Sequence, residues 1–192
     1  MSALALAALA VARGELAKGV RGGRAGWGRF RGLEVDAYQR GVGLALSPDP
    51  KVEGHPWCAA GVYACFEEAA PFIPASVGPG GVTAALSNKL AWGEAKANPC
   101  PRTAGALHMW DTSPLTARTQ LPEPGAVFVL DRGKGKGHVG FVSAVSPDGL
   151  TITTVEPDTN AAGSTTGDAW GEHLWAPADG ARGKLVGYLV FG

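Results

Sequence analysis

The apolar positions of this chain recur at helical spacing over its first half and in short strand-like runs from about residue 125 onward. Ala3–Ala12 is an unbroken apolar stretch that continues into Arg13-Gly14-Glu15-Leu16-Ala17-Lys18 with its polar positions on one side, which predicts a buried first helix. A second helix is predicted over Glu34–Leu44, because Leu33, Ala37, Tyr38 and Gly41 fall at roughly helical spacing; Ser47-Pro48-Asp49-Pro50 ends it. Pro56 suits the first turn of a third helix, in which Cys58, Val62, Cys65 and Ala69 share one face. Pro71 and Pro74 stop it, and Val82–Ala97 predicts another helix, closed by Asn98-Pro99-Cys100-Pro101. The later runs predict strands at Ala126–Leu130, His138–Val145, Leu150–Glu156 and Lys184–Phe191. Helices over about 1–100 followed by strands over about 124–192 imply an α+β fold, with N-terminal helices packed on an antiparallel β-sheet.

A length of 192 residues with 45% hydrophobic content is enough for a proper core and is the size of one domain, so residues 1–192 are expected to form a single unit. Lysine plus arginine and aspartate plus glutamate both number 17, which gives no net pull toward nucleic acid or an anionic membrane. Arg21, Arg24, Arg29 and Arg31, interleaved with Trp27 and Phe30, are therefore expected to form a solvated loop at the rim of a cleft. The apolar start lacks the basic flank of an export signal and is too short to span a bilayer, so neither a signal peptide nor a transmembrane segment is expected. Three cysteines without a Cys-x-x-Cys spacing suggest neither a disulfide framework nor a zinc knuckle. Cys58, Cys65, His138 and Asp158 lack a compact ligand spacing, so no metal and no cofactor are expected.

Cys58 is the residue with most chemistry to offer. At a helix N-terminus its thiolate is favoured by unpaired amides and the helix dipole, as a nucleophile requires; an inert core thiol also fits the residue taken alone. Cys65, deeper on the same stripe, is expected to be structural, and Cys100 lies in a loop. Ser146-Pro147-Asp148-Gly149 suits a three-residue hairpin loop, a type I turn followed by a left-handed glycine. That register puts Gly140 opposite Glu156 and His138 opposite Asp158, so all three polar side chains share a face, with His138 and Glu156 diagonal neighbours about 7–8 Å apart. An imidazole so placed can take a thiol proton while a carboxylate fixes its tautomer. His55, before Pro56, is expected to line the cleft; His108 and His173 show no evident partners. The Asp131–Gly137 run (DRGKGKG) lacks the ending of a phosphate loop and is expected to be a hairpin tip.

With these residues in place, the chain resembles the CHAP family of cysteine- and histidine-dependent amidohydrolases and peptidases, in the papain-like NlpC superfamily. The likeness rests on WCAAGVYACFEEA at 57–69, PGAVFVL at 124–130, GHVGFVSAV at 137–145 and TVEPDTNAAGS at 154–164, and it extends over about residues 13–192. It implies Cys58 as nucleophile, His138 as base, Glu156 as orienting acid, and Asp158 where an asparagine is usual. Trp57, His55 and Asn160 are the residues expected to bind substrate. The usual Glu-Gly-Asn-Thr pattern reads Glu156-Pro157-Asp158-Thr159 here. Pro157 removes a backbone donor, and Asp158 adds a negative charge expected to raise the imidazole pKa and favour a thiolate–imidazolium pair. Which acid orients His138 stays open at this point. The implied function is peptidoglycan hydrolysis through an acyl-enzyme, as an endopeptidase or N-acetylmuramoyl-L-alanine amidase. The alternatives are an inactive wall-binding or structural protein, and a thiol amidase or acyltransferase acting on a protein amide. The expected setting is synthesis in the cytoplasm and action on the wall, as a phage lysin after release or as an injected antibacterial effector, with a delivery or immunity protein as partner.

Overall fold

The computed structural model describes residues 2–70, 98–160 and 168–192. The helix expected at Val82–Ala97 lies outside them. Helix α1 (Ala3–Lys18) starts at Ser2, whose Oγ accepts the Ala5 N–H at 3.3 Å. Its Ala5, Ala8, Leu9 and Ala12 are buried at helical spacing, and the helix packs against α3 (Cys58–Ala69). Helix α2 (Leu33–Gly41) also lies on α3 and ends three residues earlier than expected. Tyr38 of α2 donates its hydroxyl proton to Glu15 of α1, which also accepts from Lys18 at 2.6 Å, tying the two helices together through a buried carboxylate.

The arginine-rich loop is not wholly a solvated one. Arg21, Arg24 and Arg29 are exposed, but Arg31 is buried and forms a two-pronged pair with Asp36 at 2.8 and 2.9 Å. Its remaining donors reach the carbonyls of Ser47, Asp49 and Val52, so one guanidinium gathers the whole segment between α2 and α3. Burial pushes the Asp36 carboxyl up, but the bonds from Arg31 and the Gly32 amide outweigh it and hold the group below its usual range.

After a short helix α4 (Ala106–Thr112) come six strands: β1 (Arg118–Thr119), β2 (Val127–Asp131), β3 (Gly137–Val145), β4 (Ile152–Thr159), β5 (Ala169–Trp175) and β6 (Lys184–Leu189). They form one antiparallel sheet in the order β1-β6-β2-β3-β4-β5. The α+β class expected of the sequence is the observed one. Helix α4 and strands β1 and β5 have no counterpart among the predicted elements. The first two are too short to show a period, and β5 (AWGEHLW) mixes apolar and charged residues without clean alternation. Val127, Val129, Val139, Phe141 and Val155 join the core beneath the helices, whereas Phe128, Leu130, Val142 and Ile152 form a second apolar cluster with Trp175 and Tyr188.

The β3–β4 turn differs from the expected one in an instructive way. Its loop is four residues long, closed by the Ser146 N–H to the Thr151 carbonyl at 2.9 Å, because Asp148 Oδ1 and Ser146 Oγ accept the Leu150 and Thr151 amides and draw one more residue into the turn. Alone, that change would reverse the faces of β4. A bulge at Ser143 cancels it: Ala144 pairs with Thr153, but Val142 pairs with Thr154 and Phe141 with Val155. Gly140 therefore falls beside Glu156, so close that a Cβ there would lie 2.9 Å from the Glu156 Cγ.

Helix α3 seats on β4 through another glycine. A Cβ on Gly61 would lie 2.8 Å from the Pro157 Cβ, nearer than real carbon contacts come. Gly61→Ala is expected to force α3 off the sheet and destabilise the fold by about 1–3 kcal/mol, read from urea unfolding. Arg31→Met is expected to lose more, about 3–5 kcal/mol, because it leaves the buried Asp36 charge with only the Gly32 amide and the exposed Arg40, 3.5 Å away. Removing Asp36 as well should recover part of that loss, and a double-mutant cycle on the same unfolding curves measures it.

Candidate active site

Cys58 is the first residue of α3, capped by Trp57 without a side-chain hydrogen bond. Pro56 precedes the cap rather than lying in the first turn. The helix start does not decide the thiol's character. Burial pushes the Cys58 thiol up to about 12 and the Asp158 charge adds to the rise, while contacts with the Val139 and Ala59 amides and the nearby Arg132 only partly oppose it. The expected low thiol pKa is thus reversed, because desolvation at a site 6% exposed exceeds the pull of the helix end. Cys65 and Cys100 are likewise buried, their thiols raised by burial.

Strand β3 brings His138 to the site one residue before Val139, whose amide meets the thiol. Its Nε2 lies 2.9 Å from Glu156 Oε2, and its ring stands 5.9 Å from that of Phe128. Among the described residues no hydrogen bond joins the ring to Cys58. Glu156, fully buried, is held from three directions. Arg182 donates Nη1–H to Oε1 at 2.6 Å and Nη2–H to Oε2 at 2.7 Å, and Thr154 donates its hydroxyl to Oε1 at 2.5 Å. Arg182 lies over the Trp175 ring, 5.2 Å from its centre, and its carbonyl accepts the Arg132 Nε–H at 3.2 Å. Burial alone would raise the Glu156 carboxyl, but the bonds from His138 and Arg182 hold it far below the usual range. An ionised Glu156 can only accept, so the His138 proton sits on Nε2 and the neutral ring keeps its Nδ1 lone pair. Burial pushes His138 below its ordinary value; Glu156 opposes this, and Arg132 and Arg182 push it lower.

Between the two acids left open by the sequence, Glu156 is the one bonded to His138. Asp158 does not share its face. It adopts a left-handed backbone at φ 59°, inside a register shift of β4 against β5 between Glu156 and Thr159. This turns Oδ2 toward α3, where it accepts the Trp57 N–H at 3.1 Å. The expected lift of the imidazole pKa by Asp158 is corrected accordingly, since His138 is shifted down.

Of the residues expected to bind substrate, Trp57 is wholly buried, its ring 5.7 Å from Tyr38 and 6.1 Å from Trp170; it packs beneath the nucleophile position and has no surface to offer a ligand. His55 is exposed and its amide donates to Gln39 Oε1 at 3.1 Å, and Asn160 is half-buried at the end of β4. His173 meets Thr159 Oγ1 at 3.2 Å, a partner the sequence did not suggest. The residues missed by sequence reasoning are Arg132 and Arg182. Both lie in glycine-bounded turns without periodicity. The one available clue was physical: a buried histidine–glutamate pair needs further charge balance.

An antiparallel sheet with a helix-borne cysteine packed against two strands, one carrying a histidine and the next its glutamate partner, defines the papain-like class of folds. The chain belongs to the CHAP family: a family model described as the CHAP domain matches residues 50–158, more than half its length. CHAP domains are typically hydrolases, amidases or peptidases that act generally on peptidoglycan. No curated protein and no solved structure matches the chain.

Arg182→Met is expected to raise the His138 pKa, because it removes a positive charge and leaves Glu156 a stronger acceptor. An NMR titration of the imidazole protons reads the shift, and an unchanged midpoint would deny the clamp any electrostatic role.

Proposed function

We propose that this chain is a peptidoglycan amide hydrolase in which Cys58 is the nucleophile, His138 the general base and Glu156 the group that fixes the histidine. The observation that carries this reading is the bond from His138 Nε2 to an ionised, clamped Glu156, which leaves Nδ1 as the basic nitrogen on the strand that meets the thiol. With the thiol raised and the imidazole lowered, the resting pair is neutral. The proton then leaves Sγ for Nδ1 as sulfur attacks the amide carbonyl, rather than beforehand. The tetrahedral intermediate collapses by breaking the C–N bond, the amine leaves with the proton from Nδ1, and water, deprotonated by the same nitrogen, releases the acyl group. The free Cys58 N–H at the start of α3 is the donor we assign to the oxyanion. Action on the wall after release from the cell or after injection fits this activity, as a lysin or an antibacterial effector.

One observation favours a second reading. A thiol only 6% exposed, with no hydrogen bond to the His138 ring among the described residues, is also what a wall-binding protein that keeps the fold without the chemistry would show. Incubation with purified peptidoglycan separates the two. The wild type is expected to release fragments with new amino termini, whose masses identify the bond. Cys58→Ala is expected to lose at least about 10³-fold in rate while keeping its fold by circular dichroism. Undiminished release by that variant would exclude Cys58 as nucleophile, and no release by the wild type would favour the binding protein.

A further inference from the structure

Asp158 is the buried acid that the reaction above leaves unused. It is 2% exposed, and its two oxygens differ. Oδ2 accepts the Trp57 amide at 3.1 Å, whereas Oδ1 is buried and has no hydrogen-bond partner among the described residues. No ion pair reaches it there. The groups that face it are the Trp57 amide and Cys58 thiol from α3, Asp168 at the start of β5, Arg29 from the loop before α2, and Arg132 from the β2–β3 hairpin. The largest side-chain charge effect on it comes from another carboxylate, and Asp168 also has a buried, unpartnered Oδ1. A bare, dehydrated carboxylate oxygen is far less stable than the same oxygen carrying a proton.

We propose that Asp158 works as a neutral carboxylic acid, with Oδ2 a carbonyl-type acceptor for Trp57 and its proton on Oδ1. It thereby does an asparagine's work as a positioning residue, holding the residue before Cys58 without placing a negative charge beside the thiol. This rests on Cys58 being the nucleophile only for its consequence in catalysis; the protonation state stands by itself. Burial, with the charge of Asp168, lifts the carboxyl to about 8 against the Trp57 amide, Arg29 and Arg132. Above that pH the charge arrives, and it makes the Cys58 thiolate harder to form. The linkage has a definite sign. Between its ordinary value of 3.8 and about 8 the native chain holds a proton that the unfolded chain has lost, so Asp158 makes stability fall as pH rises across that window.

The test compares the full chain with Asp158→Asn, whose side chain is isosteric and tolerates the left-handed backbone. Infrared difference spectra at about pH 6.5 should show a protonated-carboxyl band in the wild type that vanishes through about pH 8 and is missing in the variant. Alkylation of Cys58 by iodoacetamide, assigned by peptide mass, should proceed within about threefold in both proteins at pH ~6.5. At pH ~9 the variant should react about 3–10-fold faster. Melting temperatures should fall from acid to neutral pH more steeply in the wild type than in the variant. A wild type without the infrared band at pH ~6.5, or alkylation curves that superpose at every pH, would overturn the proposal. The wild-type band decides the question even if the variant does not fold. A band present in a protein that releases no wall fragments would uphold the state of Asp158 while the catalytic reading fails.

Discussion

A carboxylate with no exposure at all, Glu156, is what the site's geometry depends on. Removing such a charge from water carries a penalty of several kcal/mol, which only complete pairing offsets. The pairing comes from three separate pieces of chain: His138 of β3, Thr154 of β4 itself, and Arg182 from the turn before β6. Each must be in register for the charge to be tolerated. The sheet pairing, the bulge at Ser143 and the position of that last turn are thus bound to one electrostatic requirement. The same requirement fixes the tautomer of His138, so folding and chemistry are satisfied by one set of bonds.

Two opposed influences meet at Cys58. The helix start favours a thiolate, and burial disfavours it; burial prevails. At His138, Arg132 and Arg182 add to desolvation in keeping the ring neutral. Both side chains therefore rest uncharged. In the mechanism proposed above, the charge separation then belongs to the step in which sulfur attacks the amide carbonyl.

Much of this was legible in the sequence because it depends on local pattern. The α1 stripe, the cysteine helix, and the strands at Val127–Asp131 and Gly137–Val145 follow from spacing alone, and so does the placing of His138 beside Glu156. The three-residue turn that places them so is one residue too short, and the bulge at Ser143 restores the register. Bulges follow from pairing energetics across a whole hairpin and leave little mark in composition. Arg31 and Arg182 were beyond reach for a related reason: an arginine in a glycine-rich turn looks solvated until the fold shows what carboxylate lies opposite. The position of Trp57 beside Cys58 carries no such information, since adjacency in sequence says nothing of which way a helix cap buries its ring.

The left-handed backbone at Asp158 limits what can occupy the position. At φ 59° a branched or bulky residue is strained, while asparagine and aspartate are both at ease there. Exchange between those two swaps an amide nitrogen for an oxygen and leaves the main chain where it was. The two side chains are therefore interchangeable in shape at this position and differ only in that the carboxyl can take up a charge while the amide cannot.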